Sequence, residues 1–184
     1  MPKIDYLIVI DLESTCWDDA YGNYNRPDNQ KSEIIEIGVV SIDIHNRSII
    51  SSESILVRPE FSTVSEFCTK STGHTQESLS AGFSLNEACK KLSKEYKVNS
   101  RIWASWGDYD RVQFNKDCKQ HNVMYPFGRR HLNIKTLFAM HHKLKTELSV
   151  EKALKHCNLA FEGRPHSGVD DASNIARLLL TILP

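Results

Sequence analysis

The stretch YLIVIDLE at residues 6–13 narrows the choice of fold more than any other. Leu7 and Val9 fall on one face of an extended strand and Ile8 and Ile10 on the other, so both faces are apolar. A strand of that kind belongs inside a sheet that is covered on both sides. Two further strands follow at 33–44 (EIIEIGVVSIDI) and 48–59 (SIISSESILVRP), joined at His45–Arg47 as a hairpin. Between the first and second strands, residues 16–33 are polar and rich in turn formers and read as a long loop. After the hairpin, Leu85, Ala88, Leu92 and Tyr96 recur at helical spacing within 84–97, with Ser84 as cap. A short strand at 101–106, a helix at 107–121, a strand passing into a helix at 131–142, a helix at 147–158 and a last helix opening at Asp171 complete the chain. Three strands followed by alternating strands and helices predict an α/β fold, a mixed five-stranded sheet flanked by helices with the first strand near its middle. At 184 residues the chain suits one domain, 1–184.

Charge excludes some functions and leaves others open. Lysine plus arginine equals aspartate plus glutamate at 23 each, so no global basic field marks a polyanion or membrane partner. A neutral chain still binds polyanions where bound metal ions supply positive charge. The five cysteines are odd in number and irregularly spaced, without a CxxC pair, which suits free thiols in a reducing compartment better than disulfides or zinc. The amino-terminal apolar run is too short for a signal peptide's core, and no stretch approaches a membrane span. The expectation is a cytoplasmic protein with no membrane contact.

Four acids stand out, although Asp11 and Glu13 taken alone fit equally a strand that ends at Ile10 and leaves them solvated. Asp11 and Glu13 point the same way at the carboxyl end of the first strand, the end at which ligands collect in open α/β sheets. Asp108 is placed to cap the helix beginning at Tyr109, which gives it a structural role, whereas Asp110 falls in that helix's first turn with only the helix dipole to account for it. At the last helix, Asp171 shares a stripe with Ile175, Leu178 and Ile182 and turns inward, while Asp170 aligns with Asn174, Arg177 and Thr181 and turns out as an N-cap or first-turn charge. An inward carboxylate needs a cationic partner. An oxygen-only set of Asp11, Glu13, Asp110 and Asp171 suits magnesium or manganese, commonly as two ions roughly 3.5–4 Å apart that serve phosphoryl displacement. His166, on the loop FEGRPHSG five residues ahead of Asp171, is then the candidate general base, standing off far enough for a water and a phosphate to fit between.

The order DxE, then Asp in a strand-to-helix segment, then HxxxxD resembles the DEDDh exonucleases, a DnaQ-like branch of 3′-to-5′ exonucleases with an RNase H-like fold. DLESTCW, EIIEIGVV, FCTKSTGHTQESL, SWGDYDRVQF and GRPHSGVDDASNIARLL look like the enhanced-RNAi and three-prime histone-mRNA exonuclease subgroup, over Tyr6 to Leu183. The resemblance implies that Asp11, Glu13, Asp110 and Asp171 bind metal, that His166 is the base, and that Ser14 and Thr15 together with the segment of Thr72, Gly73 and His74 hold the terminal nucleotide. It implies a metal-dependent exonuclease that takes single-stranded 3′ ends, RNA before DNA, and releases nucleoside 5′-monophosphates. His74 departs from the subgroup, which usually has an apolar residue there. The sequence also starts directly at the first strand, where some eukaryotic relatives carry a SAP-type domain, so it is not expected to reach structured RNA in their way. A binding or regulatory module of the same fold acting through a protein partner, and a DNA proofreading-type exonuclease, are the alternatives.

Other residues carry weaker signals. Glu36, inside an apolar run, reads first as a hydrogen-bonded structural glutamate, with a place near the acids as the alternative. Trp103 reads as core, Trp106 as the better candidate for stacking a base, and the adjacent His141 and His142 as a poor metal pair. Cys16 and Cys157 have no base placed to activate them.

Overall fold

The computed structural model describes residues 5–18 and 27–183, so the part of the expected long loop at 19–26 lies outside the described residues. Five strands, β1 (Tyr6–Ser14), β2 (Ile34–Asp43), β3 (Ser48–Leu56), β4 (Ile102–Ser105) and β5 (His131–Asn133), form one sheet in the order β3-β2-β1-β4-β5. β1 is central, as its two apolar faces require, pairing antiparallel with β2 and parallel with β4. The mixed sheet and the hairpin are those expected.

The two faces bury different helices. Ile8, Ile10 and Leu12 pack with α3 (Leu85–Lys91) and α4 (Tyr109–Gln120) through Leu85, Ala88, Phe114 and Cys118. Leu7 and Val9 pack with α5 (Ile134–His141), α6 (Val150–His156) and α7 (Gly168–Ile182) through Phe138, Leu154, Ile175, Leu178 and Leu179. Trp103 is core, stacked on Phe127 with ring centroids 4.2 Å apart. The helix expected at 84–97 is α3 followed by a π-helical turn at Leu92–Tyr96. Two short helices were not anticipated: α1 (Glu66–Thr72), capped by Ser65 with Gly73 left-handed at its end (φ 76), and α2 (Gln76–Ser80), with a capping box between Thr75 and Ser78.

The last helix begins three residues before Asp171, at Gly168, with Ser167 in the cap position. The cause is tertiary. Glu36 on β2 accepts hydrogen bonds from the Gly168 and Val169 amides at 3.0 and 3.3 Å, which satisfies donors that would otherwise be orphaned and carries the helix back toward the sheet. Gly38, two residues along the same strand face, lies so close that a Cβ there would overlap the Gly168 carbonyl. Asp170 is therefore a first-turn acid and not the cap. Its stripe is not wholly outward either: Asn174 is fully buried, accepting from the Glu162 amide and donating to the Glu162 carbonyl.

Gly38→Ala has to push α7 off β2. We expect a loss of about 1–3 kcal/mol or more of folding stability, read as a lower urea midpoint with an unchanged slope; an unchanged midpoint would show that the close approach carries no weight.

Candidate functional site

Strand alternation builds half of the site. Leu7, Val9, Asp11 and Glu13 share the β1 face that meets α7, so a buried apolar row ends in two acids at the strand's carboxyl end. Asp171, in the first turn of α7, closes on them from above: one carboxylate oxygen from each of Asp11, Glu13 and Asp171 lies within 4.8 Å of the others. Asp110 arrives from the opposite layer. The pairing of β1 with β4 ends at Val9 and Ala104, which leaves that edge of β1 open, and the Asp110 Oδ1 accepts the Leu12 amide at 3.0 Å. It is buried and lines the same cavity of about 270 Å³ as Asp11, Glu13, Asp171, His166, Trp106, Tyr109 and Val150. The cluster able to hold an ion thus contains three of the four acids, with Asp110 at its wall.

Among the described residues no lysine or arginine pairs with any of these four acids. Burial, and then the neighbouring carboxylates, push Glu13 up to about 8 and raise Asp11 well above the ordinary range. Burial raises Asp110 to about 6, against the pull of its backbone hydrogen bonds, and also raises Asp171. Like charges gathered without a protein counter-charge are what a hard divalent cation fits.

Glu36 is the instructive contrast. It lies directly opposite Glu13 in the β1–β2 register, yet its carboxylate is filled by donors: Ser54 Oγ at 2.7 Å, His74 Nε2 at 2.8 Å, and the two α7 amides. Burial would raise it, but these bonds outweigh burial and hold it at about 2. Two glutamates side by side therefore differ in chemistry, one saturated by donors and one gathered with Asp11 and Asp171. Glu36 is the hydrogen-bonded structural glutamate expected and also lies beside the acids; nothing local in the sequence signals that it reaches both His74 and α7.

His166 is exposed on the loop before α7, in the left-handed region at φ 61. Its amide donates to Asp171 Oδ2 at 2.8 Å, so the same carboxylate that faces the acids also fixes the histidine loop. Asp108 occupies the N-cap position of α4 but makes no side-chain cap bond; its carboxylate goes to Arg111 and to Asn133 Nδ2 at 3.1 Å.

The other expected residues divide. Trp106 forms a wall of the cavity, its indole held by donation to the Leu148 carbonyl at 3.0 Å. Ser14, Thr15, Thr72, Gly73 and His74 do not line that cavity; the Thr72–His74 turn lies beyond Glu36. Thr15 is committed inside the fold, its amide donating to Glu33 O at 2.8 Å and its hydroxyl accepting from the Glu33 amide at 2.9 Å. The buried Ser14 hydroxyl has no hydrogen-bond partner among the described residues. Sequence reasoning missed Tyr109 and Val150 in the cavity, and Arg164, whose only signal was its place two residues before His166.

Comparison with known proteins places this arrangement. The model of the exonuclease family described as RNase T matches residues 8–179. Human 3′-5′ exoribonuclease 1 is 31% identical over 192 residues, covering 97% of this chain and 52% of its own length, so the chain spans about half of that relative. The solved nuclease domain of 3′hExo, a DEDDh family member bound to rAMP, superimposes with a TM-score of 0.87 at 29% identity, covering 98% of this chain and 92% of that one. A 3′-exonuclease solved in 3′-end specific recognition of histone mRNA stem-loop gives a TM-score of 0.86 at 28% identity, over 100% of this chain and 83% of that one. The sheet and its flanking helices are thus the RNase H-like fold of DEDDh exonucleases.

The raised acids set a pH dependence. Glu13 near 8, above its ordinary 4.5, means that the folded chain keeps a proton the unfolded chain has released. That stability is fully present below the ordinary value and is lost as pH climbs through the folded one. In chelator-treated protein we expect the melting temperature to fall between about pH 5 and 8, and the increase on adding manganese to grow over the same interval. A manganese effect that is flat with pH would contradict the protonated cluster.

Proposed function

The chain belongs to the exonuclease family whose model spans residues 8–179, and from that premise we propose that residues 1–184 form one metal-dependent 3′-5′ exonuclease domain acting on single-stranded nucleic acid. The observation that carries the reading is the convergence of Asp11, Glu13 and Asp171 with no lysine or arginine paired to them among the described residues, and with Asp110 and His166 on the same cavity. Asp11, Glu13, Asp110 and Asp171 would hold magnesium or manganese, as two ions, which would supply Lewis-acid polarisation of the phosphate and a more acidic bound water.

The chain's own residues do the rest. His166 takes the proton from the attacking water, and Asp171 keeps it in place by anchoring its amide. Asp110 braces the end of β1 through the Leu12 amide, so that Asp11 and Glu13 are presented on a fixed strand. Trp106 offers a ring face at the cavity wall for the base or sugar. Ser14, Thr15, Thr72, Gly73 and His74 shape the pocket for the terminal nucleoside, with Thr15 serving as wall because its polar groups are already used. The product is a nucleoside 5′-monophosphate, supported by the complex of the 3′hExo nuclease domain with rAMP. RNA is preferred over DNA, supported by likeness to 3′-5′ exoribonuclease 1. No helix among the described residues is long and apolar enough to cross a membrane, and five free cysteines support a cytoplasmic location.

Single-stranded RNA and DNA of equal sequence, labelled at the 5′ end, test the proposal with magnesium, manganese or chelator. We expect chelator-sensitive shortening from the 3′ end, faster on RNA, and a loss of roughly 10²–10⁴-fold in His166→Ala, whose exposed position leaves folding intact. No cleavage of either strand with either metal would overturn the reading in favour of a binding module.

A further inference from the structure

The turn that shapes the proposed nucleoside pocket and the loop that carries His166 are tied together twice. In the first tie, the Arg164 guanidinium donates to the Thr72 carbonyl and lies against Gly73 so closely that a Cβ at Gly73 would overlap it. In the second, Glu36 Oε2 accepts from both His74 Nε2 at 2.8 Å and the Gly168 amide at 3.0 Å, so one oxygen joins the turn to the start of α7.

Both ties end beside the histidine. The Arg164 amide donates to Asp170 Oδ2 at 2.9 Å, and the Ser167 amide donates to the Arg164 carbonyl at 3.2 Å, which closes the turn around His166. His166 itself sits at φ 61, in the left-handed region that non-glycine residues adopt uncommonly. Around it are Asp171, Arg164 and the first turn of α7; the Thr72–His74 turn contacts Arg164 directly and reaches α7 through the Glu36 carboxylate.

We propose that Arg164 and Glu36 are positioning residues that couple occupancy of the terminal-nucleoside pocket to the setting of His166. The inference rests on the exonuclease reading above. A nucleoside seated against Gly73 and His74, over the buried Thr72, stabilises the arrangement in which both ties are made, and a poorly filled pocket lets the 164–168 turn relax. Terminal-nucleoside binding then raises kcat as well as lowering KM, because part of its binding energy is realised as a correctly held base.

The test crosses protein variants with the substrate's end, using the full chain with manganese. Two RNA oligonucleotides differ only in whether the 3′-terminal residue carries its base or is abasic. In the wild type we expect the abasic end to lower kcat about tenfold, within the usual range of coupling between sites. Arg164→Ala, an exposed position, should lose a similar factor on the ordinary end, lose little more on the abasic end, and be partly rescued by Arg164→Lys. Glu36→Gln, checked for an unchanged melting temperature, should show the same non-additivity. A merely structural role leaves the base's contribution intact, so multiplicative losses in both variants overturn the coupling. A wild-type kcat indifferent to the missing base overturns it as well. Failure of the wild type to shorten either RNA removes the exonuclease reading itself, and this inference with it.

Discussion

Holding Asp11, Glu13 and Asp171 with their oxygens within 4.8 Å of one another costs free energy that no lysine or arginine offsets among the described residues. The fold tolerates this because the cluster sits at the end of a central strand whose apolar residues are buried on both faces. Ile8, Val9 and Ile10 are fully buried between helices on both faces, so β1 cannot shift to let its terminal acids spread. α7 is equally fixed: its apolar stripe packs on the same face and its first amides bond Glu36. The acids thus stay gathered in a rigid frame, and proton uptake rather than movement relieves their repulsion.

Two carboxylates explain how one strand pair separates structure from chemistry. Glu13 and Glu36 face each other across β1 and β2. Four donors saturate Glu36 and keep it charged and inert, while burial leaves Glu13 protonated near neutral pH unless a cation arrives. The geometry of α7 depends on the saturated one. The Glu36 carboxylate accepts the first two amides of α7, and Gly38 leaves room for the Gly168 carbonyl, so both hold the start of the helix that carries Asp171.

Much of this was legible in the sequence for local reasons. The two-residue period of β1 placed Asp11 and Glu13 on one face, and the 3.6-residue period of the last helix turned Asp171 toward the core. Gly107 marked the break before α4 and so the first turn that holds Asp110. What could not be read depends on contacts between distant segments. The start of α7 at Gly168 is set by a residue 132 positions away. The buried role of Asn174 needs the Glu162 loop folded against it, and Asp108 gives up its cap for Asn133 across the sheet edge. Arg164 carries no local signal of its role, because the Thr72 carbonyl it reaches lies 92 residues earlier.

The most direct test is crystallographic: manganese soaked into crystals of the wild type and of Asp171→Asn, with anomalous diffraction recorded from both. The account predicts an anomalous peak among the Asp11, Glu13 and Asp171 carboxylates in the wild type, weakened or absent in the variant, with Glu36 outside the coordination sphere. Fully ordered carboxylates with no peak at millimolar manganese would contradict the claim that the cluster is built for a cation.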